Sequence, residues 1–345
     1  MSRVPSADEW TSLFDESRKH AVIGILYSGV EQLPQDQMPN KHLLRSWAAH
    51  AQAIENLNEK MDARSLQSLK GLAKNGLQAT LLKGQGLARL YGPLASKRHS
   101  GDIDVFVDGG VLNALQKVRP VLGDWGYKHA ELKIWKNTEV ELHYRVEFIC
   151  SILKNNRLQK WFAAHNEELF HHDGEWVTPT LEMNLFYILL HIYRHFFYQG
   201  IGMRQIIDYY FILRQLKLSD NPQLSVFNTK LPVKEAVKSF GMEHFADGLM
   251  WAMGEALAMP RDWMPWTPDE QEGRFILSQI MTDGNFCHDN HKRLKKWIRT
   301  TRHNIHLLRH YPIEVLSTPL WMVYQRLWNL AYHLKFKKIQ TSINQ

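Results

Sequence analysis

The segment Arg98-His-Ser-Gly-Asp102-Ile-Asp104-Val-Phe-Val107 constrains this chain more than any other. Its alternating run reads as a β-strand, in which side chains at i and i+2 leave the same face. Asp102 and Asp104 therefore stand side by side. Neighbouring carboxylates repel and raise each other's pKa unless a cation lies between them. A hard divalent metal relieves that conflict, because Mg²⁺ prefers carboxylate oxygens and keeps positions open for phosphate. Ser100-Gly101, just before the pair, lets the backbone approach a phosphate closely. Taken alone, Asp-x-Asp also describes a solvated strand edge, so the neighbouring segments carry the decision.

Upstream, Gln78-Ala-Thr-Leu-Leu82 is a short apolar strand leading into Lys83-Gly84-Gln-Gly. A helix-forming stretch through Leu87 and Tyr91 follows and closes at Gly92-Pro93. Strand, glycine turn and helix start form an anion cradle of free N–H groups. Lys83 adds a full charge and Arg98 a fork suited to phosphate. The Walker loop and Gly-x-Gly-x-x-Gly are both absent.

Downstream, Tyr127–Trp135 and Val140–Val146 read as a hairpin turning at Lys136-Asn-Thr138. With Val140, Leu142, Tyr144 and Val146 on one side, Glu141, His143 and Arg145 take the other. Glu139 and Glu147 share the parity of Glu141, so all three are candidates for a third carboxylate beside Asp102 and Asp104. Three such groups from two strands hold two metals roughly 3.5–4 Å apart.

Lys83-Gly84, Arg98-x-x-Gly101-Asp102-Ile-Asp104 and Val-Glu141-Leu-His143 together resemble the uncharacterised nucleotidyltransferase family of bacteria. That family lies in the DNA polymerase β-like superfamily, and its abortive-infection relatives show a similar pattern. The motifs span about residues 75–150, with a looser likeness through Arg204, Asp208 and Gly284-Asn285-Phe286. Lys83-Gly84 stands where the superfamily usually has Gly-Ser or Gly-Gly. The resemblance implies Asp102, Asp104 and Glu141 as catalytic, metal-binding residues, with Mg²⁺ or Mn²⁺ as the ion and an NTP as substrate. Lys83, Gly84, Arg98, Ser100 and Gly101 would hold the triphosphate. Arg204, Asp208 and His143 would serve the acceptor or the scaffold, Arg204 and Asp208 being spaced as an i,i+4 ion pair.

The fold expected is α+β: a small mixed β-sheet core flanked by N-terminal helices, then a mostly α-helical C-terminal domain. Residues 1–150 make the nucleotidyltransferase domain, its sheet within about 75–150, and 151–345 the helical domain. Periodicity predicts helices within 7–69, at 181–198 and at 203–216, and no strand after Ser151. A chain of 345 residues is ample for this. Cys150 and Cys287 show no disulfide or metal spacing, and the first residues lack a signal peptide's apolar core, which suits the cytoplasm. Leu185–Tyr198 is too short and too interrupted by His and Arg to span a bilayer. His191 and His195, one turn apart, suit the core better than a metal, and His303, His306 and His310 share a helical face.

The net charge of +7 is unevenly spread. From Phe286 onward Lys292, Arg293, Lys295, Lys296, Arg299, Arg302, Arg309, Arg326, Lys335, Lys337 and Lys338 face only Asp289 and Glu314. Such a segment suits RNA, acidic polysaccharide or an anionic membrane, with Trp297, Trp321 and Trp328 as stacking groups. The favoured reading is an amphipathic helical tail with a solvated basic face, and no transmembrane segment. The expected reaction passes NMP from an NTP to a small molecule, glycan precursor or protein and releases pyrophosphate. The alternative is a regulatory or toxin–antitoxin-type protein that AMPylates or binds a partner through the basic tail.

Overall fold

The computed structural model describes residues 3–198, 200–219, 230–283 and 307–343. The chain opens with α1 (Ala7–Lys19), α2 (Ile23–Val30) and α3 (Lys41–Lys74), then β1 (Ala79–Leu81) and a single turn, α4 (Gln85–Ala88). Next come β2 (Ile103–Val107), α5 (Val111–Lys117), β3 (Leu122–Trp125), β4 (His129–Leu132) and β5 (Val140–His143). After α6 (Ile152–Ala164), β6 (His171–Asp173) and β7 (Trp176–Thr178) form a hairpin. The rest is helical: α7 (Leu181–Tyr198), α8 (Met203–Leu218), α9 (Val233–Phe240), α10 (Glu243–Leu257), α11 (Glu270–Asp283) and α12 (Pro312–Ile343). The fold is α+β as expected, with a helical C-terminal region.

Among the described residues, contacts divide the chain into two compact units. One takes residues up to Leu66, then Lys83–Gly101, then Leu181 to Asp283; the other takes Gln67–Leu82, Asp102–Thr180 and Leu307 onward. In the first, Ser6 and Glu9 cap α1 reciprocally. Trp10, Phe14, Ile23, Val30, Trp47 and Ile54 form its N-terminal core, and the Trp47 indole N–H donates to the Ile23 carbonyl at 3.0 Å. α7 is buried almost all round, as a helix apolar on every face must be. Its Glu182 carboxylate accepts from the backbone N–H groups of Lys230 and Leu231, both at 2.9 Å, satisfying charge inside the core.

The second unit is built on a five-stranded sheet of order β1-β2-β5-β4-β3. β2 and β5 run parallel, and the other neighbours antiparallel. Ile103, Val105, Val107, Ala130, Leu132, Val140 and Leu142 alternate onto one face and are buried there. That apolar face pins the register, because a one-residue slip turns it to the opposite side.

The β6–β7 hairpin departs from the expectation of no strand after Ser151. Its strands are three residues long, too short for periodicity to register. The two residues between the paired Asp173 and Trp176 are Gly174-Glu175, and Gly174, at φ 61°, takes the first turn position, where a tight II′ hairpin turn selects glycine. Gly284-Asn285-Phe286, Asp220-Asn221-Pro222, Cys287, Trp297, His303, His306 and the basic cluster 292–302 lie outside the described residues.

Truncating Leu142, fully buried in β5, to Ala should cost about 2–5 kcal/mol. Leu153→Ala, at a position 79 % exposed, should stay within about 0.5 kcal/mol. Urea unfolding of both variants checks this, and equal costs would contradict the placement of the core.

Candidate active site

Opposite the apolar face, the sheet turns its polar residues to one side. In the parallel β2–β5 pair Asp104 lies directly across from Glu141, and in the antiparallel β4–β5 pair His129 lies across from His143 and Glu131 from Glu141. Side chains paired across a ladder share a face, as do residues two apart along one strand. Asp102, Asp104, Glu141, His143 and His129 therefore converge by register alone.

The contacts follow. One carboxylate oxygen each from Asp102, Asp104 and Glu141 lie within 4.8 Å of one another, and His129, Glu141 and His143 form a second such group around the same glutamate. The His143 ring is fully buried, its Nε2 at 2.8 Å from Asp104 Oδ1 and 3.1 Å from Glu141 Oε2. At about 4 Å and an effective dielectric near 20, two like charges cost about 4 kcal/mol. Asp104 and Glu141 thus need the donor between them. Burial pushes the Glu141 carboxyl up, but the hydrogen bond to His143, together with the charge interactions with His143 and His129, outweighs it and leaves it below the usual range. Burial, reinforced by the nearby His143, pushes His129 down to about 4, so its ring is neutral at physiological pH. The parity competitors of Glu141 are placed differently. Glu147 is buried with the Lys128 ammonium at 3.4 Å, and Glu139 is exposed.

Lys83, Gly84, Arg98, Ser100 and Gly101 belong to the other unit. Lys83 is half-buried, and Gly84 takes φ 53° and ψ −116°, a backbone region that favours glycine. α4 behind it is one turn long, so little macrodipole accumulates there. The Ser100 hydroxyl lies against the side-chain carbonyls of Asn58 and Gln85, and Gln85 in turn donates to Asp62.

Arg98 and Asp208 meet in a buried ion pair. Arg98 Nε and Nη2 donate to Asp208 Oδ1 and Oδ2 at 2.6 and 2.8 Å, and the Tyr91 hydroxyl adds a third donor at 2.6 Å. Asp208 thus pairs with an arginine far away in sequence, while Arg204 Nη1 donates to the His99 carbonyl at 3.1 Å. Burial raises the Asp208 carboxyl, yet the Arg98 guanidinium outweighs it and holds the carboxyl below its ordinary value. Phe211 stacks on Tyr91 at 3.9 Å and closes this network. The His191 and His195 rings lie 4.2 Å apart with their planes inclined at 57°, and Arg194 Nη2 is 2.6 Å from His195 Nε2.

The model of the uncharacterised nucleotidyltransferase family matches residues 6–240. The chain belongs to that family. Nucleotidyl transfer is the general role that membership supports. No curated protein and no solved structure matches the chain. The family match spans every motif residue named from the sequence up to Asp208.

Two parts of this nucleotidyltransferase's arrangement went unread in the sequence. His129 has the parity of Glu141 once the hairpin is granted, so its place on the polar face was available from alternation. Tyr91 as the third donor to Asp208 had no local signal, since 117 positions separate the two.

Removing one partner of a buried pair costs about 3–5 kcal/mol, and Asp208→Asn should show this at pH 7 in a urea titration. The depressed carboxyl contributes fully above its unfolded pKa, near 3.8, and its contribution is lost as pH falls through the lower folded value. The gap between wild type and variant should therefore narrow below about pH 4. A gap independent of pH would contradict a charged Asp208.

Proposed function

We propose that this chain is a metal-dependent nucleotidyltransferase that passes NMP from an NTP to an acceptor hydroxyl or phosphate. The observation that supports it is the convergence of Asp102, Asp104 and Glu141 oxygens within 4.8 Å on the polar face of one sheet. An all-oxygen set of this kind fits Mg²⁺ or Mn²⁺, which bind carboxylates and leave positions for phosphate. A metal held by Asp102, Asp104 and Glu141 would neutralise charge developing on the phosphates.

The chain's own groups do the rest. Asp102 and Asp104 hold the cation. Glu141, ionised at neutral pH because its pKa is depressed, completes the set and takes the acceptor's proton. A low pKa makes it a modest base, so its larger contribution is as a ligand. His143 orients Asp104 and Glu141 through its Nε2. Lys83 and the Gly84 backbone bind the triphosphate; Arg98, already engaged by Asp208, acts by holding the segment that leads to Ser100-Gly101. The bond from the α-phosphorus to the bridging oxygen breaks, the acceptor oxygen bonds to that phosphorus, and pyrophosphate leaves. The acceptor is a small molecule, a glycan precursor or a protein. Among the described residues no helix is long and apolar enough to cross a membrane.

The test is transfer of label from each α-labelled NTP, with Mg²⁺ and a cell extract as the acceptor pool. Asp102→Asn combined with Asp104→Asn should abolish transfer by several kcal/mol of lost stabilisation, roughly a thousandfold or more. Circular dichroism should show the fold intact. Transfer retained by a folded double variant would overturn the mechanism.

A further inference from the structure

α12 is apolar on two opposite sides. One side packs on its own unit: Trp321, 1 % exposed, meets Tyr127 at 5.0 Å and Phe148 at 5.1 Å, and His333 stacks on Trp125 at 3.8 Å. The other side carries Ile313, Leu316, Leu320, Val323, Leu327, Leu330 and Leu334, each between 53 % and 68 % exposed. Their spacing alternates three and four without a break, the a/d register of a coiled-coil seam. A helix apolar all round is normally buried all round, and scattered surface leucines do not keep a seven-residue period. Pro319 falls on a flank of the seam and interrupts none of its positions.

We infer that this stripe is the dimer interface of the chain, α12 packing antiparallel against α12 of a second copy. The period specifies a helix as the occupant, because knobs spaced at 3.5 residues fit holes of the same spacing. Burying the stripe removes roughly 750 Å² per chain, or about 1,500 Å² in a pair, which is the standard size of a stable interface. Among the described residues α12 leaves only this stripe open, its opposite face being already docked, and a closed two-fold pair covers it. Charge sets the direction. Lys335, Lys337 and Lys338 crowd the C-terminal end of α12 and would face their own copies in a parallel pair, whereas the antiparallel pair separates them. The antiparallel two-fold axis then passes near Val323, the centre of the stripe.

Sedimentation velocity of the full chain tests the inference. Wild type should sediment as a dimer, and Leu327→Lys with Leu330→Lys as a monomer that melts at the same temperature. Under mild oxidation Val323→Cys should form an interchain disulfide and Leu334→Cys should not; the reverse would overturn the antiparallel pairing. A wild-type monomer at concentrations well above micromolar overturns the proposal. A monomer that floats with anionic vesicles gives the stripe to a lipid surface, and a monomer whose seam variant melts early gives it to residues of the same chain; either outcome also overturns it.

Discussion

The parallel pairing of β2 with β5 is the constraint from which the rest of the candidate site follows. Asp104 faces Glu141 because Ile103 faces Val140 and Val105 faces Leu142, and those apolar residues are buried on the far side of the sheet. The hydrophobic face selects the register, and the register delivers the carboxylates. No loop has to be ordered to bring these two together. The cost of the arrangement is electrostatic, about 4 kcal/mol for each close like-charged pair at an intermediate dielectric. His143 between the two carboxylates offsets part of it, and the divalent cation of the proposed mechanism would offset more.

Part of this was legible in the chain as written. The strand at 103–107 follows from alternation, and the presence of Glu141 among the candidates beside Asp104 needs only the added assumption that the two strands are neighbours. The hairpin was visible in its turn residues and parity over 127–146, wider than the strands His129–Leu132 and Val140–His143 themselves, and with it His143. What alternation could not supply was which of Glu139, Glu141 and Glu147 joins the pair. Register decides that, and register is a long-range property. The helices at 181–198 and 203–216 were legible because their apolar periods are long, the second running two residues further, to Leu218; the three-residue strands of the β6–β7 hairpin left no period to detect.

Asp208 illustrates the other limit. Its spacing from Arg204 suggested a local ion pair on α8, yet its carboxylate is held by Arg98, 110 positions away, and by Tyr91. Nothing in a helical spacing announces a partner at that distance. Energetically the long-range choice is the sensible one. A buried carboxylate needs a bidentate donor and a further hydrogen bond to balance its desolvation, and Arg98 with Tyr91 supplies three donors. In the proposed mechanism this network acts indirectly, holding the chain that runs into Ser100-Gly101.

The central claim is that a carboxylate cluster assembled by strand register binds an NTP through a divalent cation. Calorimetric titration of the protein with each of the four NTPs, in Mg²⁺ and again in EDTA, addresses it most directly. The account predicts saturable binding of at least one NTP in Mg²⁺ and its loss in EDTA. Binding of equal strength in EDTA, or no binding of any NTP in Mg²⁺, would contradict it.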